Sequence, residues 1–67
     1  MQFTYDEFCG TDILEIKDEV YNYLLKARRH KIDDEIYFRN LKDENLYLYK
    51  INFIDKKRAI LNLVSSQ

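Results

Sequence analysis

Residues 46–54, Leu46-Tyr47-Leu48-Tyr49-Lys50-Ile51-Asn52-Phe53-Ile54, form the stretch that decides the fold class. Successive side chains of an extended strand point to opposite faces, so every second residue shares one side. Tyr47, Tyr49, Ile51 and Phe53 are expected to share one side, and the start of the strand is apolar on both faces. A strand of this length usually bends, so that it serves two parts of a small barrel. The run therefore predicts a β-rich fold rather than a helical bundle.

The residues before this strand alternate in the same way. Residues 35–41 place Ile36 and Phe38 on one face of a strand. The polar stretch 42–45 then predicts a turn, and Asn45 is a residue type that adopts the left-handed conformation a hairpin can require. These two segments and the long strand predict an antiparallel hairpin.

A second turn and a last strand follow the long strand. Residues 55–57 turn the chain into an apolar run over residues 58–64. The inward-facing residues of that run are Ala59, Leu61 and Leu63. Residues 35–64 thus predict a three-stranded meander.

The N-terminal half adds two shorter strands and a helix. Residues 3–5, with Phe3 and Tyr5 on one face, and residues 12–17 alternate as short strands do. The inward residues of the second strand are Leu14 and Ile16. The expected fold is mostly β with one α-helix, a small antiparallel β-barrel with the order β-β-α-β-β-β.

The helix is expected to follow the second strand directly. Asp18 is the predicted N-cap, and the helix runs to about His30 before a turn at residues 32–34. At about 100° per residue, one apolar side collects Val20, Leu24 and Ala27.

Six tyrosines raise a choice between packing and binding. Exposed aromatic rings beside basic groups hold unpaired RNA bases by stacking. Five of the six lie at positions compatible with a half-buried sheet or helix flank, so core packing is the favoured interpretation.

The basic segment, Lys26-Ala27-Arg28-Arg29-His30-Lys31, concentrates four fixed positive charges and the only histidine in a chain of net charge −1. Phosphate contacts by lysine and arginine fix the register of a nucleic acid. The segment is therefore a candidate phosphate-binding patch. A second, weaker candidate patch is residues 56–58, for which a solubilising hairpin tip is an equal alternative.

Simpler interpretations exist for each of these cations. Basic side chains at a helix C-terminus complement the exposed carbonyls and the helix dipole, so the segment can be a solvated helix end. Arg28 falls on the flank of the apolar face, beside Tyr21 and Leu24, where its stem can cover apolar surface while the guanidinium reaches water.

The composition excludes several classes of protein. One cysteine, Cys9, allows no internal disulfide, and one histidine with it is too few for the usual zinc sites. No apolar run approaches the roughly 20 residues of a membrane span, and no signal peptide is visible, so we expect a cytoplasmic protein with no membrane or metal partner. The acidic run 33–35 predicts a solvated turn rather than an active site, since adjacent carboxylates point in different directions.

The stretch from Val20 to Val64 resembles the N-terminal domain of the bacterial ribosomal RNA small subunit methyltransferase E family. That family's pattern is approximately His-Leu-x-x-Val-Leu-Arg-x-Lys-x-Gly-Asp, followed by a strand ending in Asp-Gly and a hairpin closing with Lys-Lys. Here residues 23–34 read Tyr-Leu-Leu-Lys-Ala-Arg-Arg-His-Lys-Ile-Asp-Asp, and residues 39–43 and 55–57 follow in order. Arg29 and Lys31 fall on the basic positions of the pattern. The resemblance therefore implies RNA contacts first at Arg29 and Lys31, then at Lys26, His30 and Arg28.

The chain also departs from this pattern. Tyr23 replaces its histidine and Asp33 replaces its turn glycine, while Gln2 stands where an early arginine is common. Residues 27–28, Ala-Arg, replace Val-Leu. The departures indicate a divergent branch.

The resemblance implies a PUA-like RNA-binding barrel over residues 1–64, with residues 65–67 starting a linker. The linker would lead to an absent C-terminal methyltransferase domain of the knotted SPOUT class. In the family that domain uses S-adenosylmethionine to methylate N3 of a uridine in 16S rRNA, and the parent enzyme is expected to be a homodimer. The fragment itself would be non-catalytic, with no cofactor of its own, and would position the 16S rRNA.

A different class of function requires the same charges. A small barrel that docks onto a protein partner, or onto another domain of its own chain, would also present an exposed basic helix end to an acidic patch. Salt dependence alone does not separate the two. Competition between a short rRNA hairpin and an acidic protein does.

Overall fold

The computed structural model describes residues 3–67. Gln2, which stands where the family pattern commonly has an arginine, lies outside the described residues. Five strands and one helix follow in the predicted order. The strands are β1 (Thr4–Tyr5), β2 (Ile13–Lys17), β3 (Glu35–Arg39), β4 (Tyr47–Ile54) and β5 (Arg58–Ser66). Helix α1 (Asp18–Tyr21) continues directly as a π-helical segment (Asn22–Ala27).

One curled sheet contains all five strands, in the order β1-β3-β4-β5-β2. The pairs β3–β4, β4–β5 and β2–β5 are antiparallel, which confirms the meander and the small-barrel fold class. The pair β1–β3 is parallel, with Thr4 opposite Phe38. A parallel pair requires a crossover, which here runs through β2 and the helix.

The alternating positions of β2, β3 and β5 pack inward as predicted. The residues that are at most 7% exposed there are Leu14, Ile16, Ile36, Phe38, Ala59 and Leu61. The sequence predicted each of these positions from the alternation of apolar residues, because a strand with one buried face turns every second side chain inward. Leu63 is only half-buried against the core.

The long strand β4 bends, as its length predicts. Tyr47, Tyr49 and Ile51 are buried, but Phe53 is 46% exposed, so the four residues do not share one side along the whole strand. The pairing with β5 shifts register between Ile51 and Phe53. An extra residue in one strand reverses the faces beyond it, so Phe53 turns outward and Ile54 packs against the core.

The helix differs from its prediction at both ends. Asp18 is not an N-cap: its φ is +55°, and Lys17 occupies the cap position with no side-chain hydrogen bond. The helix also ends at Ala27, three residues before His30. Leu24 is buried as expected, but Ala27 is exposed. The prediction used the 100° per residue of an α-helix, whereas the i to i+5 hydrogen bonds of a π-helix make a wider turn and move later residues around the axis.

In the turn before β4, the residue with a left-handed backbone conformation is not the predicted one. Leu41, with φ of +61°, adopts that conformation, and not Asn45. The buried side chain of Asn40 explains this, because its Oδ1 accepts hydrogen bonds from the backbone N–H of Lys42 at 2.9 Å and of Asp43 at 3.2 Å. Asn40 thereby tightens the chain directly after β3.

The C-terminal residues belong to the sheet. β5 continues through Ser66, two residues beyond the predicted domain boundary at residue 64. The backbone N–H of Gln67 donates to the carbonyl of Leu46 at 2.8 Å, and the N–H of Leu46 donates back at 2.6 Å. Pairing with the start of β4 therefore orders residues 65–67.

Tyr49 joins the sheet to the loop before β2. Its ring is fully buried, with Phe38 edge-on at 5.5 Å between ring centres. Its hydroxyl donates to the carbonyl of Thr11 at 2.6 Å and accepts from the N–H of Gly10 at 2.8 Å. Gly10 has a φ of +116°, and a Cβ there would lie 3.3 Å from the Tyr47 ring, so glycine suits the position.

Replacing Tyr49 by phenylalanine tests this connection. Tyr49→Phe keeps the ring but leaves the N–H of Gly10 and the carbonyl of Thr11 without their partner. We expect a loss of about 1–3 kcal/mol in the free energy of unfolding, measured by urea denaturation followed by circular dichroism. Tyr5→Phe, at a half-exposed position, is the control and should change the free energy by less than about 0.5 kcal/mol. Equal stabilities of the two variants would contradict the proposed connection.

Candidate nucleic-acid interface

The basic segment begins where the helix closes. The N–H of Arg28 donates to the carbonyl of Tyr23 at 2.9 Å, and the N–H of His30 donates to the carbonyl of Leu24 at 3.0 Å. Between these two bonds Arg29 has a φ of +58°. This arrangement resembles the helix end that usually places a glycine in the left-handed conformation, widened here by the π-helical turn.

Three of the predicted contact residues present their charges to solvent. Lys26, Arg29 and Lys31 are exposed. Among residues 3–67, no hydrogen bond or ion pair within 4.0 Å joins these three side chains to a neighbouring residue. In the described part of the chain, the charges of these three side chains therefore have no carboxylate within ion-pair distance.

His30 has a different environment from these lysines and Arg29. Its Nδ1 lies 3.1 Å from Oδ2 of Asp34, and the same carboxylate oxygen accepts the backbone N–H of Lys31 at 3.0 Å. The Lys31 N–H and then His30 lower the pKa of Asp34 from its usual value. The acidic run 33–35 predicted only a solvated turn at Asp34, although the spacing of four residues between His30 and Asp34 was a signal of this contact.

Arg28 pairs with an aromatic ring that sequence analysis did not select. Its guanidinium lies 5.9 Å from the centre of the Tyr23 ring, and its Nη1 donates to the Tyr23 hydroxyl at 3.1 Å. Arg28 is exposed, and it lines a cavity together with Tyr23 and Leu24. Tyr23 is itself 48% exposed.

The turn after the basic segment is fastened to the sheet. Asp33 has a φ of +74°, so it takes the left-handed conformation that the family pattern assigns to glycine. The N–H of Asp33 donates to the carbonyl of Ile51, and the N–H of Ile51 donates to the carbonyl of Asp34, both at 2.9 Å. The two bonds hold the basic segment at a fixed place beside β4.

The second basic patch is partly neutralised. Arg58 forms an ion pair with Glu15 across the β2–β5 pair, with 2.8 Å between Nη1 and Oε2. Lys56 and Lys57 remain exposed at the tip between β4 and β5. This patch therefore presents fewer unpaired cations than the basic segment does.

Cys9, the one cysteine of the chain, is buried. Burial, with Asp6 and Asp43 nearby, raises the pKa of the Cys9 thiol to about 11, so it stays protonated at neutral pH. In the described part of the chain, no three His, Cys, Asp or Glu side chains are arranged to hold a metal ion. Neither helical segment within residues 3–67 is long and apolar enough to cross a membrane.

Comparison with known proteins identifies relatives along the whole chain. Residues 16–64 match the family described as the RNA methyltransferase PUA domain. Over all 67 residues the chain is 39% and 40% identical to the ribosomal RNA small subunit methyltransferase E of two Helicobacter pylori strains. The chain spans 30% of the length of these curated relatives.

Solved structures share the fold. A ribosomal RNA small subunit methyltransferase E from Neisseria gonorrhoeae, bound to S-adenosyl methionine, superimposes with a TM-score of 0.82 at 14% identity, over 100% of this chain and 28% of that one. A probable rRNA-methyltransferase from Porphyromonas gingivalis gives a TM-score of 0.83 at 13% identity, over 100% and 27% of the two chains. At such low identity the likeness is one of fold.

Acid titration tests the contacts that hold the end of the basic segment. Because the pKa of Asp34 lies below 3.8 in the folded chain, folding favours its ionised form. This stabilisation is fully present at pH values above the pKa that Asp34 has in the unfolded chain. It is lost as the pH falls through the lower pKa that Asp34 has in the folded chain. We expect Asp34→Asn to reduce the free energy of unfolding at pH 7, and this difference to shrink below about pH 4. Urea denaturation over a pH series measures it.

A control substitution separates Asp34 from a general charge effect. Asp12→Asn removes an exposed carboxylate that lies outside the basic segment. Its effect on stability should be smaller at pH 7. A difference for Asp34→Asn that persists unchanged in acid would contradict the linkage to the Asp34 carboxylate.

Proposed function

Because the chain belongs to the family of RNA methyltransferase PUA domains, we propose that it is the rRNA-binding N-terminal domain of a 16S rRNA (uridine-N3) methyltransferase. In this proposal the chain holds the rRNA while a separate catalytic domain, which uses S-adenosylmethionine, methylates the target uridine. The relatives described above, which are rRNA methyltransferases, support this assignment. An rRNA target implies a cytoplasmic protein, and the family resemblance implies that the complete enzyme is a homodimer.

The observation that carries the proposal is the state of the cations at the helix end. Lys26, Arg29 and Lys31 are exposed and, among residues 3–67, have no carboxylate partner within 4.0 Å. A phosphate that binds there need not displace an internal ion pair. Lysine and arginine that neutralise phosphates release condensed counterions, which drives binding. Such contacts fix the register of the RNA without reading its sequence.

The backbone of Arg29 adds a second argument. A left-handed conformation costs an L-residue roughly 1–2 kcal/mol, and glycine is the usual residue at this kind of helix end. At Arg29 the chain accepts this strain and gains a guanidinium that projects from the end of the helix. Strained residues concentrate at functional sites, where the strain is offset by the rest of the structure.

Glycine at position 29 should therefore separate stability from binding. We expect Arg29→Gly to raise the free energy of unfolding by about 0.5–1 kcal/mol, because it removes the left-handed strain. The same change should weaken binding of a short 16S rRNA hairpin by about fivefold, because one phosphate contact is lost. Urea denaturation and a fluorescence-anisotropy titration measure the two quantities.

Lysine at position 29 is the matched control, because it keeps both the charge and the strain. Arg29→Lys should leave the stability unchanged and lose affinity only where the planar guanidinium makes a bidentate contact. If Arg29→Gly gains stability and binds the hairpin as well as the parent chain does, Arg29 has no role in RNA binding.

Charge reversal within the complete enzyme tests the positioning role. Arg29→Glu with Lys31→Glu should reduce rRNA methylation by at least about tenfold. The slope of log affinity for RNA against log salt concentration should become shallower by the amount expected for about two phosphate contacts. Affinity for S-adenosylmethionine should not change. Lys56→Glu with Lys57→Glu makes the same change in net charge at the β4–β5 tip and should have a smaller effect.

The same experiment separates the proposal from a docking role. An equal loss of affinity for the methyl donor would show that the basic segment contacts another domain of the enzyme instead. On the 67-residue chain, an rRNA hairpin should shift the backbone amide signals around Arg29, whereas an unrelated acidic protein should not. The reverse result would assign the basic segment to a protein partner.

A further inference from the structure

The curled sheet of residues 3–67 does not close on itself. In the strand order β1-β3-β4-β5-β2, strands β1 and β2 are the two edges, and they do not pair with each other. A cavity of about 410 Å³ lies between them. Residues 5–8 form one wall of this cavity, and Glu15, Lys17 and residues 18–20 form the other. We call this cavity the seam.

Strand β2 presents backbone groups to the seam. The N–H of Leu63 donates to the carbonyl of Asp12, so the register of the antiparallel pair directs the backbone groups of Leu14 and Ile16 toward β5. The N–H and C=O of Glu15 therefore point away from β5, to the side where β2 pairs with no strand of the described chain. Such an edge is a template for an added strand.

The two edges of the sheet differ in how they are protected. β1 has only two residues, and a very short edge strand is one way in which proteins avoid pairing with another chain. β2 has five residues, and charged side chains can protect an edge of that length. However, Glu15 at its centre is neutralised by Arg58 of β5, with 2.8 Å between Oε2 and Nη1. The middle of β2 is thus an accessible edge without a net charge.

The walls of the seam combine negative charge with apolar surface. Four lining carboxylates have no ion pair within 4.0 Å in the part of the chain that the structure describes, and they are Asp6, Glu7, Asp18 and Glu19. One lining cation, Lys17, opposes them. The apolar lining residues are Tyr5, Phe8 and Val20. Because a strand directs successive side chains to opposite faces, a segment in which basic and apolar residues alternate complements both surfaces.

We propose that the seam binds an extended basic segment of a partner protein, which adds as a strand to the free edge of β2. The main chain of the segment pairs with the N–H and C=O of Glu15, and its lysine or arginine side chains lie near the carboxylates of the seam. This interaction goes beyond the proposed RNA binding. The seam contains the start of the helix, whereas the basic segment follows the end of the helix.

Three peptides of equal length test strand addition. The probe is Lys-Val-Lys-Val-Lys-Val-Lys. Lys-Pro-Lys-Pro-Lys-Pro-Lys has the same charge but favours a polyproline II helix, and Glu-Val-Glu-Val-Glu-Val-Glu reverses the charge. Each peptide is titrated into the ¹⁵N-labelled chain at low salt and followed by NMR. We expect the lysine–valine peptide to bind at least about fivefold more tightly than either of the others. Equal affinity of the two lysine peptides would overturn strand addition.

Amide hydrogen exchange locates the added strand without any substitution. At saturating lysine–valine peptide, the N–H of Glu15 should exchange at least about tenfold more slowly, because it gains a hydrogen-bond partner. The N–H groups of Leu14 and Ile16 already pair with β5, so they are the internal control and should slow less. Unchanged exchange at Glu15 would overturn the proposal.

Matched variants test the charge of the seam. Glu7→Gln with Glu19→Gln should weaken binding of the lysine–valine peptide by at least about fivefold. Asp12→Asn with Glu44→Gln makes the same change in net charge at exposed residues outside the seam, so its effect should be smaller. Equal effects of the two pairs would show that only the overall charge matters, and would overturn the seam as the site.

Substitution of Glu15 separates its backbone from its side chain. Glu15→Pro removes the edge N–H without removing a bond to β5, whereas Glu15→Ala keeps that N–H and removes the carboxylate. The proline variant should bind the lysine–valine peptide at least about fivefold more weakly than the alanine variant does. Circular dichroism checks that both are folded, and the exchange experiment decides the matter if the proline variant is not. Equal binding by two folded variants would overturn pairing at Glu15.

The competing occupant of the seam is the basic segment of a second copy of the chain. Sedimentation equilibrium should show a monomer at the concentrations used for the titrations. A dimer that is lost both in Glu7→Gln with Glu19→Gln and in Arg29→Glu with Lys31→Glu would assign the seam to a second copy and overturn a separate partner. In the monomer, Arg29→Glu with Lys31→Glu should leave peptide binding unchanged, whatever its effect on RNA binding.

Discussion

Buried tyrosines are the constraint on which this structure depends. A chain of 67 residues has a small core and many loops, and side chains that fill the core with a ring while reaching a loop with a hydroxyl serve both needs. Tyr49 does this at the centre of the sheet, where its hydroxyl holds the loop at Gly10 and Thr11. Tyr21 donates from the helix to the carbonyl of Asp55 at 2.6 Å.

A third tyrosine fixes the turn before β4. The hydroxyl of Tyr47 donates to Oδ2 of Asp43 at 2.8 Å and accepts from Nδ2 of Asn45 at 3.3 Å. The N–H of Asn45 and then the Tyr47 hydroxyl lower the pKa of Asp43. Three loops are thus attached to the core by tyrosine hydroxyls. This rigidity lets the basic segment keep a strained backbone, since the turn that follows it is bonded to the sheet at Ile51.

The helix has acidic residues at its start and basic residues at its end. Asp18 and Glu19 occupy its first turn, and Lys26 and Arg29 stand at its last turn and just beyond, about 15 Å away along the axis. Each sign complements the helix dipole at its own end. A polyanion that approaches this nearly neutral chain is therefore attracted to one end of the helix and repelled from the other. In the proposed function this polarity orients the rRNA before any specific contact forms.

The sequence by itself determined the faces of the strands and the location of the charges. Leu14, Ile36 and Leu61 are buried because one buried face imposes a period of two, and that period is visible in the local sequence. The cluster of cations at residues 26–31 is equally local. Its position at the end of a helix followed from the change in pattern between residues 18 and 35. The five residues selected there remain predictions as RNA contacts.

Only the tertiary structure decided the features that depend on distant partners. The parallel pairing of β1 and the register shift that exposes Phe53 arise from strand neighbours remote in sequence. The π-helical turn, the left-handed Arg29 and the Tyr23–Arg28 pair follow from how the helix end fits against the sheet. Periodicity assumes regular 3.6-residue turns and unbroken ladders, so it could not reveal a wider turn or an inserted residue. These irregularities place an exposed ring and a guanidinium at one cavity beside the basic segment.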